Sequence, residues 1–409
     1  MNILKSRWAQ LALFGLSNLF AGSLYSWSIL SAALAVKLSE SGEAVSAADL
    51  GWIFGVASAV NPIAMIAGGW VNDRLGPRLS LCAGGLMIGT GLILSSLATS
   101  PGMLALSYGV CFGLGVGLSY VSTIGASMKL FPDRRGLAGG LVTMAYGLSS
   151  MMIPPIAAGL IAEFGISGAM STLGALCGGV IICCGLLSKK PEEGEAKPLG
   201  DSREKAAKSA GGADLDWKGM LGTLRFWLML ALFICGSIPA MMIISGAASL
   251  AQSEGGLSTA AAAAAVSAIA VANTCGRFAS GIASDRFGRI PTLMLSLVAA
   301  GAGLGLLLAQ TGSVVLFFAG ICLAAWCYGS FVGIYPGFTI EEFGARHASV
   351  NYGIMAAGFS SAGIIGPMLL RLQAESSSLP FTAALCVSAF GLVLALAVRP
   401  LCGSMKKTS

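Results

Sequence analysis

Charge is scarce in this sequence: Asp, Glu, Lys and Arg make up 10% of its 409 residues, against 56% for hydrophobic residues. Soluble proteins carry about 25% charged residues, so an ordinary soluble domain is excluded. Histidine is nearly absent, with His347 standing alone. A His-based metal site is thereby excluded, and no cofactor or metal is expected. The eleven cysteines include no CxxC pair and no secreted-type spacing, and nearly all sit in apolar segments. They read as small core residues rather than disulfides or ligands. No acyl-enzyme motif, phosphate loop or appended soluble domain is present, which argues against an enzyme and against a membrane sensor. The runs Gly113-Leu114-Gly115-Val116-Gly117 and Gly301-Ala302-Gly303-Leu304-Gly305 lie mid-segment with no preceding strand, so close helix packing explains them better than a nucleotide loop.

What the sequence has in abundance is apolar stretches long enough to cross a bilayer as helices. Twelve spans are expected, at roughly 8-36, 48-72, 79-98, 102-127, 136-163, 166-187, 222-249, 258-284, 291-310, 314-340, 348-371 and 379-399. The short basic stretch from Met1 to Arg7 runs straight into the first of them, which is longer than a signal-peptide core and reads as a transmembrane helix rather than a cleaved leader. Lys and Arg gather at the termini and in the loops after even-numbered spans, with Lys37 and Arg371 on the other side and Arg277 inside. By the positive-inside rule both termini are cytoplasmic. The expected location is a bacterial plasma (inner) membrane, with the lipid bilayer as a partner and no nucleic acid.

The chain also repeats itself. Gly69-Trp70-Val71-Asn72-Asp73-Arg74-Leu75-Gly76-Pro77-Arg78 matches Gly281 to Arg289, and 281 minus 69 and 285 minus 73 both give 212. The same offset pairs Gly89 with Gly301, Phe131 with Phe343, Arg134 with Arg346 and Pro155 with Pro367. A duplicated six-span half follows. The expected domains are 1-187, a first six-helix bundle, and 222-409, a second; residues 188-221, polar and charged, read as a cytoplasmic linker. Pro154-Pro155 and Pro367 are expected to bend spans 5 and 11.

One residue organises the rest. From Ser258 to Ser284 the chain is Ala, Val, Ile, Gly and Ser with few exceptions, and Arg277 is the only charge. Burying it costs about 3 kcal/mol near a helix centre, and such residues face a cavity or a partner. Helical side chains lean toward the helix N-terminus, which points this one to the membrane middle rather than the nearer interface. Every Asp and Glu falls in a loop or close to a span end. A conventional carboxylate proton relay is therefore not expected.

The motif Gly-x-x-x-Asp-Arg-x-Gly-x-Arg at Gly69 to Arg78, met again at Gly281 to Arg289 without the residue before its last Arg, resembles the motif of the major facilitator superfamily in the loops after spans 2 and 8. The resemblance implies an all-α membrane protein of twelve transmembrane helices in two pseudo-symmetric six-helix bundles, working as a monomer. It also implies gating roles for Asp73, Arg74, Arg78, Asp285, Arg286 and Arg289. Physically, the two aspartates can accept backbone N–H groups at helix N-termini, and the arginines can bridge neighbouring helix ends.

A narrower likeness rests on Leu24-Tyr25-Ser26-Trp27, Phe131-Pro132-Asp133-Arg134-Arg135-Gly136, Arg277 and Asn351-Tyr352-Gly353. Together these resemble the oxalate/formate antiporter and monocarboxylate porter branch, in which the span 8 arginine binds the substrate carboxylate. Two departures matter: Phe359 stands where the oxalate exchangers have a lysine, and Asn273 and Ile29 stand where animal-type monocarboxylate carriers have an aspartate and a lysine. One cation suits one anionic group.

The implied substrate residues are therefore Arg277, with Asn273 one turn away on the same face, and Tyr25, Tyr120 and Tyr328 in spans that line the superfamily's cavity. Leu24, Trp326 and Phe359 are candidates for an apolar wall. The repeat qualifies Asn273, because Asn61 occupies the equivalent place while Met65 replaces Arg277. The expected function is secondary active transport of a small monocarboxylate of the lactate or pyruvate type, with a proton, by alternating access. Exchange of organic anions of the oxalate/formate type is the other reading.

Overall fold

The computed structural model describes residues 6–40, 45–46, 49–190, 214–253, 258–309, 312–374, 376 and 378–401. Most of the expected linker, 191–213, lies outside them, as do the two chain ends whose cytoplasmic placement the charge pattern implies.

Among the described residues the chain is built of helices without a strand, as an apolar sequence that must satisfy its own backbone in lipid requires. Ten helices among the described residues are long and apolar enough to cross a membrane; with Arg135–Leu187 holding two segments and Thr259–Phe287 added, they are numbered as twelve spans. Span 1 runs through Arg7–Ala21, a tighter turn at Gly22–Ser26 and Trp27–Glu40. Spans 2 and 3 are Gly51–Leu75 and Pro77–Ser96, and span 4 comprises Pro101–Leu104, a wider π-helical stretch Ala105–Phe112 and Gly113–Leu130. Spans 5 and 6 form one run, Arg135–Leu187, broken at Gly165, whose φ of 66° no bulky residue adopts easily. Its helix continues past Pro154-Pro155.

Span 7 is Leu224–Ser245 followed by Ala247–Ser253, and span 8 is Thr259–Phe287. Spans 9 and 10 are Arg289–Leu308 and Val314–Phe343. Span 11 breaks between Ala348–Met355 and Ala357–Leu370, and span 12 is Leu379–Leu401. The break in span 11 falls at Ala356, well before Pro367. The chain is thus a multi-pass membrane protein.

The repeat is visible in backbone geometry. Span 2 ends at Leu75 and span 3 begins at Pro77; span 8 ends at Phe287 and span 9 begins at Arg289. The hinge residues between them, Gly76 (φ 89°) and Gly288 (φ 92°), adopt the same left-handed conformation, and 288 minus 76 again gives 212. Both turns need φ > 0, which is why glycine sits at each.

The helices pack into two compact units. Unit 1 comprises Met1–Pro132, Ala145–Lys197 and Arg346–Ile354; unit 2 comprises Asp133–Met144, Pro198–Ala345 and Met355–Ser409. Each unit takes in the opening turns of one helix from the other half of the sequence, span 5 in unit 2 and span 11 in unit 1. The core of unit 2 gathers Ile243, Ile269, Leu304, Ile321 and Phe381 from spans 7, 8, 9, 10 and 12.

Candidate functional site

Arg277 lies in unit 2, ten residues before the Phe287 end of span 8, about 15 Å along the axis at 1.5 Å per residue. The residue is only 1% exposed, so its guanidinium is not turned out toward lipid headgroups. Its Nε donates to Asn273 Oδ1 at 3.1 Å, across one helical turn on the same face. Its Nη1 donates to the backbone carbonyl of Thr143 on span 5, also at 3.1 Å. The guanidinium carbon stands 5.8 Å from the centre of the Tyr328 ring. Asn273, Thr143 and Tyr328 are neutral, so these contacts orient the cation without cancelling its charge.

Glycine spacing makes the arrangement possible. A side chain at Gly140 on span 5 would come within 2.8 Å of the Arg277 carbonyl, and side chains at Gly329 and Gly333 on span 10 would collide with the backbone of Asn273 and Arg277. Spans 5 and 10 therefore approach span 8 backbone to backbone where its arginine sits.

The other residues proposed from the sequence are placed as follows. Asn273 and Tyr328 are buried against Arg277. Trp326 is half-buried, with its carbonyl accepting from the Ser330 hydroxyl at 2.9 Å. Half-buried Phe359 meets Phe233 of span 7 edge to face, 6.2 Å between ring centres. Tyr25, Tyr120 and Leu24 belong to unit 1. There Tyr146 of span 5 lies edge-on to both tyrosines, 5.6 Å from Tyr25 and 4.9 Å from Tyr120. Leu24 is half-buried, and its carbonyl accepts from the Tyr108 hydroxyl at 3.4 Å.

Tyr146 is absent from the sequence-derived set, although the repeat carries a signal for it. At the 212 offset Tyr25, Tyr120 and Tyr146 face Ser237, Val332 and Gly358, just as Arg277 faces Met65. These three tyrosines belong to the first half and the cation to the second, where Tyr328 in turn faces Val116 of the repeat.

A second group of side chains ties helix ends together. In unit 2 the Asp285 carboxylate accepts from the backbone N–H of Gly136 and of Leu137, both at 2.9 Å, and so caps the start of span 5. It also pairs with Arg289 at 2.9 Å, which in turn pairs with Glu341 at 2.6 Å. In unit 1 Asp73 does the corresponding work: it accepts from Ser349 N–H at 3.1 Å and Val350 N–H at 3.2 Å, capping the start of span 11. Its cation is Lys129, at 2.8 Å. Beside it Asn72 donates to the Ser349 hydroxyl at 2.8 Å.

The two caps use different charges. Lys129 and Glu341 are equivalent in the repeat, since 341 minus 129 is 212, yet opposite in sign, and Pro77 stands where the second half has Arg289. Neither Lys129 nor Glu341 was in the motif, so sequence reading alone missed both. Of the four motif arginines Arg289 is buried at 8% exposure, whereas Arg74, Arg78 and Arg286 are exposed. Arg74 lies over the Trp70 ring at 4.3 Å.

Comparison with known proteins adds to this geometry. A family model described as Major Facilitator Superfamily matches residues 12–367, with a second match over 235–402. The chain is 28% identical over 89% of its length to "Uncharacterized MFS-type transporter YhjX" of Escherichia coli, covering 87% of that protein. It is 26% identical, over 89% of this chain and 84% of the other, to "Oxalate:formate antiporter" of Oxalobacter formigenes. With "Monocarboxylate transporter 11" of Mus musculus it shares 30% identity over 79% of this chain and 72% of the other. Among solved structures, the proton:xylose symporter XylE superposes with a TM-score of 0.74 at 15% identity, covering 96% of each chain, which is a likeness of fold.

Proposed function

This chain belongs to the major facilitator superfamily, and from that premise we propose that it is a secondary active transporter of small monocarboxylates of the lactate or pyruvate type, coupled to protons and working by alternating access.

The observation that carries the reading is Arg277. A guanidinium 1% exposed, set in an apolar helix and oriented by Asn273 and Thr143, is the chemistry that takes a carboxylate by parallel hydrogen bonds. One such cation fits one anionic group, and Phe359 in span 11 adds no second charge. The Tyr328 ring beside the guanidinium supplies an apolar surface for the small organic remainder. A carrier must also release its cargo, so affinity near millimolar, about 4 kcal/mol, is sufficient. Two relatives are named for oxalate and formate and for monocarboxylates, which agrees with an organic anion as cargo. Asp73 and Asp285 act as gating caps in this reading, holding the starts of spans 11 and 5 in one state and releasing them in the other.

The test is uptake by proteoliposomes of a panel of mono- and dicarboxylates at several pH values. Preference for monocarboxylates, with net uptake driven by an inward proton gradient into vesicles without internal anion, is expected. Uptake that requires internal anion would instead favour exchange.

A further inference from the structure

At one end of unit 1, side chains from span 2 and from the segment after span 6 meet at the turn that leads into span 3, forming a basic and aromatic patch. The Arg74 guanidinium lies 4.3 Å above the Trp70 ring, and Trp70 is 50% exposed. Lys190 reaches across and donates from Nζ to the Arg74 carbonyl at 2.7 Å. Its stem packs on the turn between spans 2 and 3, where a side chain at Gly76 would come within 2.9 Å of the Lys190 Cβ. Arg78 is exposed and follows Arg74 by four residues, across the same turn. Asp73, the neighbouring acid, is already taken by Lys129 and by the N–H groups of Ser349 and Val350. Among the described residues Arg74, Arg78 and Lys190 form no ion pair.

The patch is not a by-product of the repeated motif. At the 212 offset Trp70, Arg74 and Arg78 become Ile282, Arg286 and Ile290, so the second half keeps one cation and loses the indole. Gathering three like charges at one junction costs repulsion that a bound anion relieves. An exposed indole at the end of an apolar span belongs at the depth of the lipid headgroups, and a planar guanidinium matches phosphate oxygens in pairs.

The geometry points to a site for the phosphate of an anionic phospholipid headgroup at Trp70, Arg74, Arg78 and Lys190. The indole rests in the glycerol layer while the three cations meet the phosphate. This assignment needs only that the chain spans a membrane and is independent of the cargo bound at Arg277.

The full-length protein in detergent is titrated with dioctanoyl-phosphatidylglycerol, dioctanoyl-phosphatidylcholine or inorganic phosphate, and thermal unfolding is followed. Phosphatidylglycerol should raise the melting temperature saturably and phosphatidylcholine should not. Binding should weaken about fivefold for each cation removed, hence about 25-fold in Arg78→Gln/Lys190→Gln, while Arg286→Gln keeps it. If the double variant does not melt cooperatively, Arg78→Gln and Lys190→Gln singly carry the test, each about fivefold weaker. An equal response to phosphatidylcholine, or undiminished binding in these variants, overturns the assignment. A rise reproduced by inorganic phosphate reassigns the site to the free ion and overturns the lipid. A rise that appears only after Glu192, Glu193 and Glu195 are changed to Gln means that the chain's own acids fill the patch, and overturns it equally.

Discussion

Arg277 Nη1 donates to the backbone carbonyl of Thr143, 3.1 Å away in space and 134 residues earlier in the chain. The cation proposed to bind the cargo is therefore also a tie between span 8 and the opening turns of span 5. A carboxylate that takes both terminal nitrogens as a parallel pair must share Nη1 with that carbonyl or displace it. Two turns further along, Asp285 caps the same span 5 through Gly136 and Leu137. Arg277 and Asp285 of span 8 thus both bond to the opening turns of span 5.

Asn273 holds the guanidinium through Nε, a hydrogen bond to a charged group worth about 1.5–3 kcal/mol. Asn273→Ala is expected to raise KM for uptake about tenfold or more, with a smaller change in maximal rate. Initial-rate uptake over a range of substrate concentrations checks this. An unchanged KM would make the asparagine a scaffold residue, as its counterpart Asn61 in the repeat would suggest.

Gly140 and Gly159 lie on the same helix and should respond oppositely to alanine. A Cβ at Gly140 meets the Arg277 carbonyl at 2.8 Å, whereas at Gly159 nothing lies within 4 Å. Gly140→Ala should lower the melting temperature of the purified protein and depress uptake. Gly159→Ala should leave both intact or stabilise the helix by about 0.5–1 kcal/mol.

The two aspartate caps should tolerate loss of their partners unequally. Removing Lys129 leaves Asp73 at a helix N-terminus with two N–H donors, a setting that suits an anion. Removing Glu341 leaves two buried cations, Arg135 and Arg289, both bordering Gly337, with less negative charge between them. Lys129→Gln is expected to cost about 1 kcal/mol and Glu341→Gln about 3 kcal/mol. Thermal unfolding of the two variants side by side measures the difference.

The architecture was legible because the bilayer leaves little choice: long apolar runs must be helices, and the 212 offset carried the span 2–3 turn onto the span 8–9 turn residue for residue. Arg277 stood out because a charge in such a run is costly. Thr143 could not be found this way, since its part is played by a backbone carbonyl, which every residue has. Lys129 and Glu341 were hidden because their sequence setting, a span end rich in charge, is where unremarkable charges also collect. Tyr146 lies in span 5, outside spans 1, 4 and 10, yet it breaks the repeat at Gly358 as Arg277 breaks it at Met65. Arg277, Tyr25, Tyr120 and Tyr146 thus depart from the repeat, whereas Asn273 keeps it as Asn61 and Asp285 keeps it as Asp73.

The most direct measurement is uptake of a labelled monocarboxylate into proteoliposomes bearing wild type, Arg277→Lys or Arg277→Ala, each shown to be folded by its melting curve. Saturable uptake by wild type, weak uptake by Arg277→Lys and none by Arg277→Ala is the predicted order. Full, saturable uptake by folded Arg277→Ala would contradict the assignment of this cation to the cargo.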